Sequence, residues 1–206
     1  MDRRAYTSAD IIVVSLQDAV RKRTEMCFGV ARDNPDLATN ILRAVIDDAL
    51  HPAGGGAHRM VDIEIVGDLR FTVTDDLPPL LDDLGEPQPG FYDSLLCKRR
   101  FALAAAAALS RHTLIEVRAG GRGWRQELTG TTATAANPFA CPGTVDGTGV
   151  TFDLDATFLA PGSVISTSPE RLRAGGTSCD TCSGTLRAET LTIQDRRPST
   201  RSAPQL

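Results

Sequence analysis

Apolar and polar residues alternate along Val61–Val66 and again along Leu69–Val73, with the polar pair Gly67-Asp68 between the two runs. A period of two predicts strands, and the Gly-Asp break predicts a β-hairpin. The second strand delivers Asp75 and Asp76 at its end, directly before Leu77-Pro78-Pro79. Carboxylates at a strand end beside a chain reversal sit where sheet proteins meet ligands. The plainer reading is a solvated turn.

Intervals of three and four recur elsewhere. Leu37, Ile41, Leu42, Val45, Ile46 and Ala49 give an amphipathic helix over Leu37–Leu50, started by Asp33-Asn34-Pro35-Asp36 and ended by Pro52 and Gly54–Gly56. Asp47 and Asp48 lie near its C-terminal end, where the helix dipole disfavours anions. Residues 10–23 predict a shorter helix ending in Arg21-Lys22-Arg23, cations that complement the dipole and could also meet a partner, and Thr24–Gly29 reads as a break. Phe101–Leu109 (FALAAAAAL) is a helix by propensity, with sides small enough to lie close against a sheet.

Thr113–Arg118 and Gly123–Leu128 predict a second hairpin with Trp124 in the core, Gly147–Leu154 a strand, 169–173 a short helix and Ala188–Gln194 a final strand. Residues 78–94 and 129–142 read as loop and linker, and 195–206 as a frayed tail. Hairpins alternating with helices predict an α+β fold. It is a two-layer α/β sandwich with a mixed, mostly antiparallel sheet and helices on one face.

Composition narrows the function classes. The chain has 206 residues and a formal net charge of −4, against nucleic-acid binding by the chain alone. No apolar run approaches the ~20 residues of a membrane span. Five cysteines, an odd number at irregular spacing, suit reduced thiols in cytoplasm better than a disulfide framework. Cys179 and Cys182 have the spacing of half a zinc or redox site, but no second pair completes it. His51, His58 and His112 are scattered.

Several stretches, in order, resemble the N-terminal ATPase domain of the DNA gyrase B subunit, of the GHKL (Bergerat-fold) ATPases. Val20–Gly29 (VRKRTEMCFG) resembles the family's VRKRPGMYIG, and residues 46–76 match its run from the VDN helix through the hairpin to the TDDG or TDNG turn. Ala108-Leu109-Ser110 and Trp124 fall where gyrase has NALS and a tryptophan. Asp146-Gly147-Thr148 is similar to the TGT strand, and Arg171-Leu172-Arg173 with Leu191-Thr192-Ile193 to the closing helix and strand. The likeness spans roughly residues 9 to 197 and implies an N-terminal arm over 1–30, a GHKL-type domain with a shortened lid over 31–197, and a disordered tail over 198–206.

What the resemblance implies divides into halves. For the base-binding half, Asp75 matches the aspartate that accepts a hydrogen bond from the adenine amino group and Thr148 the threonine on the same edge, while Val45, Ala49, Leu103 and Val150 match the apolar lining. The hydrolytic half departs from the family. The glutamate base is replaced by Ala44, or by Asn40 in a shifted register, and neither takes a proton from water. The magnesium-binding asparagine corresponds to Asp48, a hard-oxygen donor for a weak metal site, or to Ala44 in the shifted register. The glycine-rich phosphate loops are replaced by Leu77-Pro78-Pro79 and by Leu96–Ala102, with Lys98, Arg99 and Arg100 as point charges. Ala119 stands at the arginine position where aminocoumarins dock.

These features predict a degenerate, stand-alone gyrase-B-like domain in the cytoplasm. It binds an adenine nucleotide (ATP or ADP, with magnesium) or a similar small ligand without hydrolysis, in a regulatory or binding role, with a homodimer through the N-terminal arm as an option. The gyrase cleavage machinery is missing from the span, which predicts no topoisomerase activity for the chain alone. The alternative is a repurposed isomerase or cyclase with Asp75 or Asp48 as acid/base. A third possibility is a decaying gene copy.

Overall fold

A computed structural model describes residues 13–50, 60–168, 171–172 and 191–198. The helix layer comprises α1 (Leu16–Lys22), α2 (Thr24–Phe28), α3 (Leu37–Leu50) and α4 (Phe101–Ala108). The strands are β1 (Val61–Gly67), β2 (Arg70–Asp75), β3 (Ser110–Ala119), β4 (Arg122–Thr129), β5 (Thr132–Ala133), β6 (Asn137–Ala140), β7 (Gly147–Leu154) and β8 (Leu191–Asp195). They form one sheet in the order β5-β4-β3-β7-β2-β1-β8, with β6 also paired to β4. All pairings are antiparallel except β1 with β8.

Alternation along the strands sorts the two faces. Val61, Ile63, Ile65, Phe71, Val73, Ile115, Val117, Val150 and Phe152 are buried on the face that receives the helices. Asp62, Glu64, Thr72, Thr74 and Thr151 occupy the intervening positions. The sheet is therefore covered on one side and polar on the other. Helix α3 buries Leu37, Ile41, Leu42, Val45, Ile46 and Ala49, the stripe its spacing predicts. Helix α4 buries every residue from Leu103 to Ala108, because alanines let its backbone sit close to α3 and the strands.

Three expectations need correction. The first helix begins at Leu16 rather than near residue 10; Ser15 caps it by accepting a hydrogen bond from the Asp18 N–H at 3.0 Å, which leaves Val13 and Val14 exposed ahead of it. Thr24–Phe28 is a short helix and not a break, closed by Gly29 in the left-handed conformation with φ 73°. Residues 129–142 contain the two short edge strands β5 and β6. The cation at Arg21 turns inward: its Nε donates to the Ala108 carbonyl at 3.0 Å and its Nη2 to Asp155 at 3.1 Å. Val20 and Phe28 join the core, so the described part of the N-terminal segment packs on the domain.

Residues 1–12, His51, His58, the Gly175-Gly176 pair, Cys179, Cys182 and the tail from residue 199 lie outside the described residues, and of the expected helix at 169–173 only Arg171 and Leu172 lie within them. Cys27, Cys97 and Cys141 are free thiols.

Candidate functional site

The strand end that carries Asp75 and Asp76 splits its two carboxylates across the sheet. Asp75 faces the helices and is buried, and Asp76 faces the open side, where Oδ1 accepts from the Met60 N–H at 3.3 Å. Asp75 pairs in register with Thr148 on β7. The two strands meet so closely here that a Cβ on Gly147, whose φ is 152°, would lie 2.0 Å from the Asp75 carbonyl oxygen. Only glycine fits that approach. Val45, Ala49, Leu103 and Val150 are all buried in the same core.

Arg100 is the residue the sequence does not place. Read as one of three cations offered to a phosphate, it instead enters the interior, while Lys98 and Arg99 stay exposed. Its Nη1 donates to Asp75 Oδ2 at 2.5 Å, and the two side chains retain only 2% and 1% of their exposure. Asp75 Oδ1 accepts from the Leu77 N–H at 3.1 Å. Both carboxylate oxygens are thus engaged within the chain. Arg100 Nε and Nη2 are buried without an acceptor among the described residues. A buried carboxylate is the partner that makes the inward course of Arg100 tolerable.

Asp48 lies at the same junction. Its Oδ2 accepts from the Ala102 N–H at 3.2 Å, which ties α3 to the first turn of α4. Burial pushes its carboxyl above the usual carboxylate range, and Asp75 adds to this. Arg100 and the N–H groups of Ala102 and Leu103 pull the other way. A group that binds its proton more tightly in the folded chain contributes stability below the ordinary carboxylate value, and that contribution is lost as pH rises through the folded value. Asp48→Asn removes this term. The urea midpoint of the variant relative to the wild type therefore rises from pH 3 to pH 7; a difference that stays flat across that span would contradict the assignment.

The segment from residue 78 to 97 lines a small cleft beside Val117 and Thr148. It carries two isolated bridges, Leu81 with Pro87 and Phe91 with Leu96. Asp82 Oδ1 accepts from the N–H groups of Leu84 and Glu86, both at 2.9 Å. Its attachments reach strand and helix alike. The Leu95 N–H donates to Gln126 Oε1 at 2.7 Å, Trp124 Nε1 to Glu86 Oε2 at 2.7 Å, and the Tyr92 hydroxyl to the Ala104 carbonyl at 3.1 Å. Tyr92 and Asp93 hold positive φ values of 59° and 52° at its tight turn. Beneath it, Leu80, Pro87, Cys97 and Lys98 face Val117 and Thr148 across a cleft of about 80 Å³. Small-molecule sites usually enclose ~300–1,000 Å³, so this cleft is smaller than a typical one.

The remaining expected positions are accounted for. Asn40 donates its Nδ2 to the Asp36 carbonyl at 2.9 Å, and Ala44 is half-buried against the core. Ala119 is buried at the end of β3. His112 lies 3.3 Å from Glu127 on the open face. Among the described residues no group of three or more His, Cys, Asp or Glu side chains is gathered for a metal. No described helix is long and apolar enough to cross a membrane.

Comparison with protein-family models finds no match, and comparison with curated proteins finds none. Solved structures do match. The 43K ATPase domain of Thermus thermophilus gyrase B, in complex with an aminocoumarin, superposes with a TM-score of 0.65 at 23% identity, covering 87% of this chain and 48% of that one. The chain spans about half the length of that structure. The likeness shows the fold, a GHKL-type α+β sandwich with its mostly antiparallel sheet.

Proposed function

We propose that this chain is a binding or regulatory module on the gyrase-B ATPase fold whose nucleotide pocket has become internal structure. The observation that carries this reading is the ion pair between Asp75 and Arg100. An adenine amino group needs the Asp75 carboxylate as acceptor, and the Arg100 guanidinium already donates to that carboxylate from inside. ATP with magnesium does not fit the residues present. Asp75 is covered, the cleft is about 80 Å³, and neither Ala44 nor Asn40 supplies a base for hydrolysis. The adenine-binding role expected from the sequence is therefore replaced by a structural role for Asp75.

The acid/base alternative finds one supporting observation, the raised carboxyl of Asp48. Against it, neither Asp48 nor Asp75 lines the cleft beneath the 78–97 segment, and although Asp75 borders a larger cleft on the open face, Arg100 and the Leu77 N–H already hold its two carboxylate oxygens. Asp48 serves better as the tie between α3 and α4.

A thermal-shift titration with ATP, ADP and magnesium, run beside an assay for released phosphate, tests the proposal. The expected result is an unchanged melting point at millimolar nucleotide and no phosphate above the buffer rate. A concentration-dependent rise that Asp75→Asn abolishes would overturn it, since binding to the native state must raise the melting point by mass action.

A further inference from the structure

On the open face of the sheet, across from the Asp75–Arg100 pair, lies a second cleft of about 250 Å³, lined by Met60, Asp62, Thr74, Asp76, Arg118 and Val145 among others. A Cβ on Gly149 would stand 3.6 Å from Thr74 Oγ1 and 4.0 Å from Arg118 Nη2, ordinary contacts, so the guanidinium extends across the glycine. Arg118 differs from its neighbours on this face. Arg111 is paired with Asp153 at 2.8 Å and Arg125 with Glu116 at 2.5 Å. Arg118 has no ion pair among the described residues, and its Nε is shut off from solvent without an acceptor.

Carboxylates line the same cleft and leave Arg118 unpaired. Asp146 Oδ1 is committed to the Gly120 N–H at 2.8 Å, and Asp76 Oδ1 to the Met60 N–H. Asp62 stands on β1, three strand spacings from Arg118 on β3. That is ~14 Å between backbones, too far for an aspartate and an arginine to meet without something between them. The cleft therefore presents a free guanidinium at one end and carboxylates at the other, with the exposed side chains of Met60 and Val145 beside them.

We propose that this open-face cleft binds a small α-amino-acid-like zwitterion with an apolar side chain. The ligand carboxylate takes the fork of Arg118, its ammonium meets Asp62, and its apolar portion lies against Met60 and Val145. Plain anions are disfavoured by the surplus of carboxylates, and plain amines leave Arg118 unsatisfied. Asp75 also borders this cleft, but its carboxylate is held by Arg100 and the Leu77 N–H, so the proposal rests on other side chains.

The test is a ¹H–¹⁵N NMR titration of the full chain at millimolar concentrations of four probes: L-leucine, 4-methylpentanoate, isoamylamine and inorganic phosphate. Saturable shifts at Thr74, Val145 and Gly149 with L-leucine are expected, with 4-methylpentanoate and isoamylamine each weaker by roughly tenfold or more, in line with loss of one charged contact. Arg118→Gln, with folding checked by its own spectrum, weakens L-leucine by a similar factor. No shift with any probe, equal affinity in Arg118→Gln, or shifts with phosphate alone would overturn the proposal. So would shifts confined to Cys97 and Lys98.

Discussion

Arg100→Ala lowers stability by about 3–5 kcal/mol, because it leaves the buried Asp75 carboxylate without its countercharge. For a chain of this size that corresponds to a fall of roughly 6–20 °C in melting temperature. Asp75→Asn, which keeps an acceptor for the Leu77 N–H, also destabilises by stranding the Arg100 guanidinium. The double variant Asp75→Asn/Arg100→Met behaves differently. Two of Arg100's nitrogens already lack acceptors, so the wild-type pair is itself expensive to bury. Replacing it by neutral groups recovers most of the loss. Urea denaturation of the wild type, Asp75→Asn, Arg100→Met and the double variant closes the cycle and gives the coupling energy, expected at about 2 kcal/mol or more. Additive single effects would mean that the two side chains do not depend on each other.

Gly147→Ala is the second large effect. The new methyl group would stand 2.0 Å from the Asp75 carbonyl oxygen and 3.0 Å from the Asp76 Cα, both backbone atoms that cannot rotate away. Strain at φ 152° adds to the clash, and the expected loss is on the order of 3 kcal/mol or more. Since β2 must move away from β7 at Asp75, the substitution also loosens Arg100. Gly149→Ala, two residues along on the same strand, meets only ordinary contacts and serves as the control. Equal urea midpoints for the two variants would contradict the close approach.

Much of this fold is legible from periodicity. Helix α3 runs from Leu37 to Leu50 and β7 from Gly147 to Leu154 as the pattern predicts, because both combine strong periodicity with clear boundary residues. Elements too short to show a period are not legible. Helix α2 is a single turn and a half, and β5 and β6 are edge strands of two and four residues whose Thr, Ala and Pro content reads as linker.

The site divides in the same way. That Asp75 and Asp76 face opposite sides follows from the two-residue period of β2. Arg100 does not follow from any local pattern. Lys98, Arg99 and Arg100 are equivalent in the sequence, and only the packing of α4 against α3 and the sheet sends the third inward. Its available signal is position, directly before a helix whose small side chains bring it close to the carboxylate of Asp75. The open-face cleft is likewise invisible locally, since Arg118 and Asp62 are brought to one surface only by strand order.

The most direct measurement is ¹⁵N-arginine NMR of the guanidinium groups, in the wild type and Asp75→Asn, with and without millimolar ATP and magnesium. The expected result is one arginine with resolved, slowly exchanging Nη signals that vanish in Asp75→Asn and ignore nucleotide. Averaged signals for every arginine, or loss of the resolved set on adding ATP, would show that Asp75 is free to receive a ligand and would contradict the account.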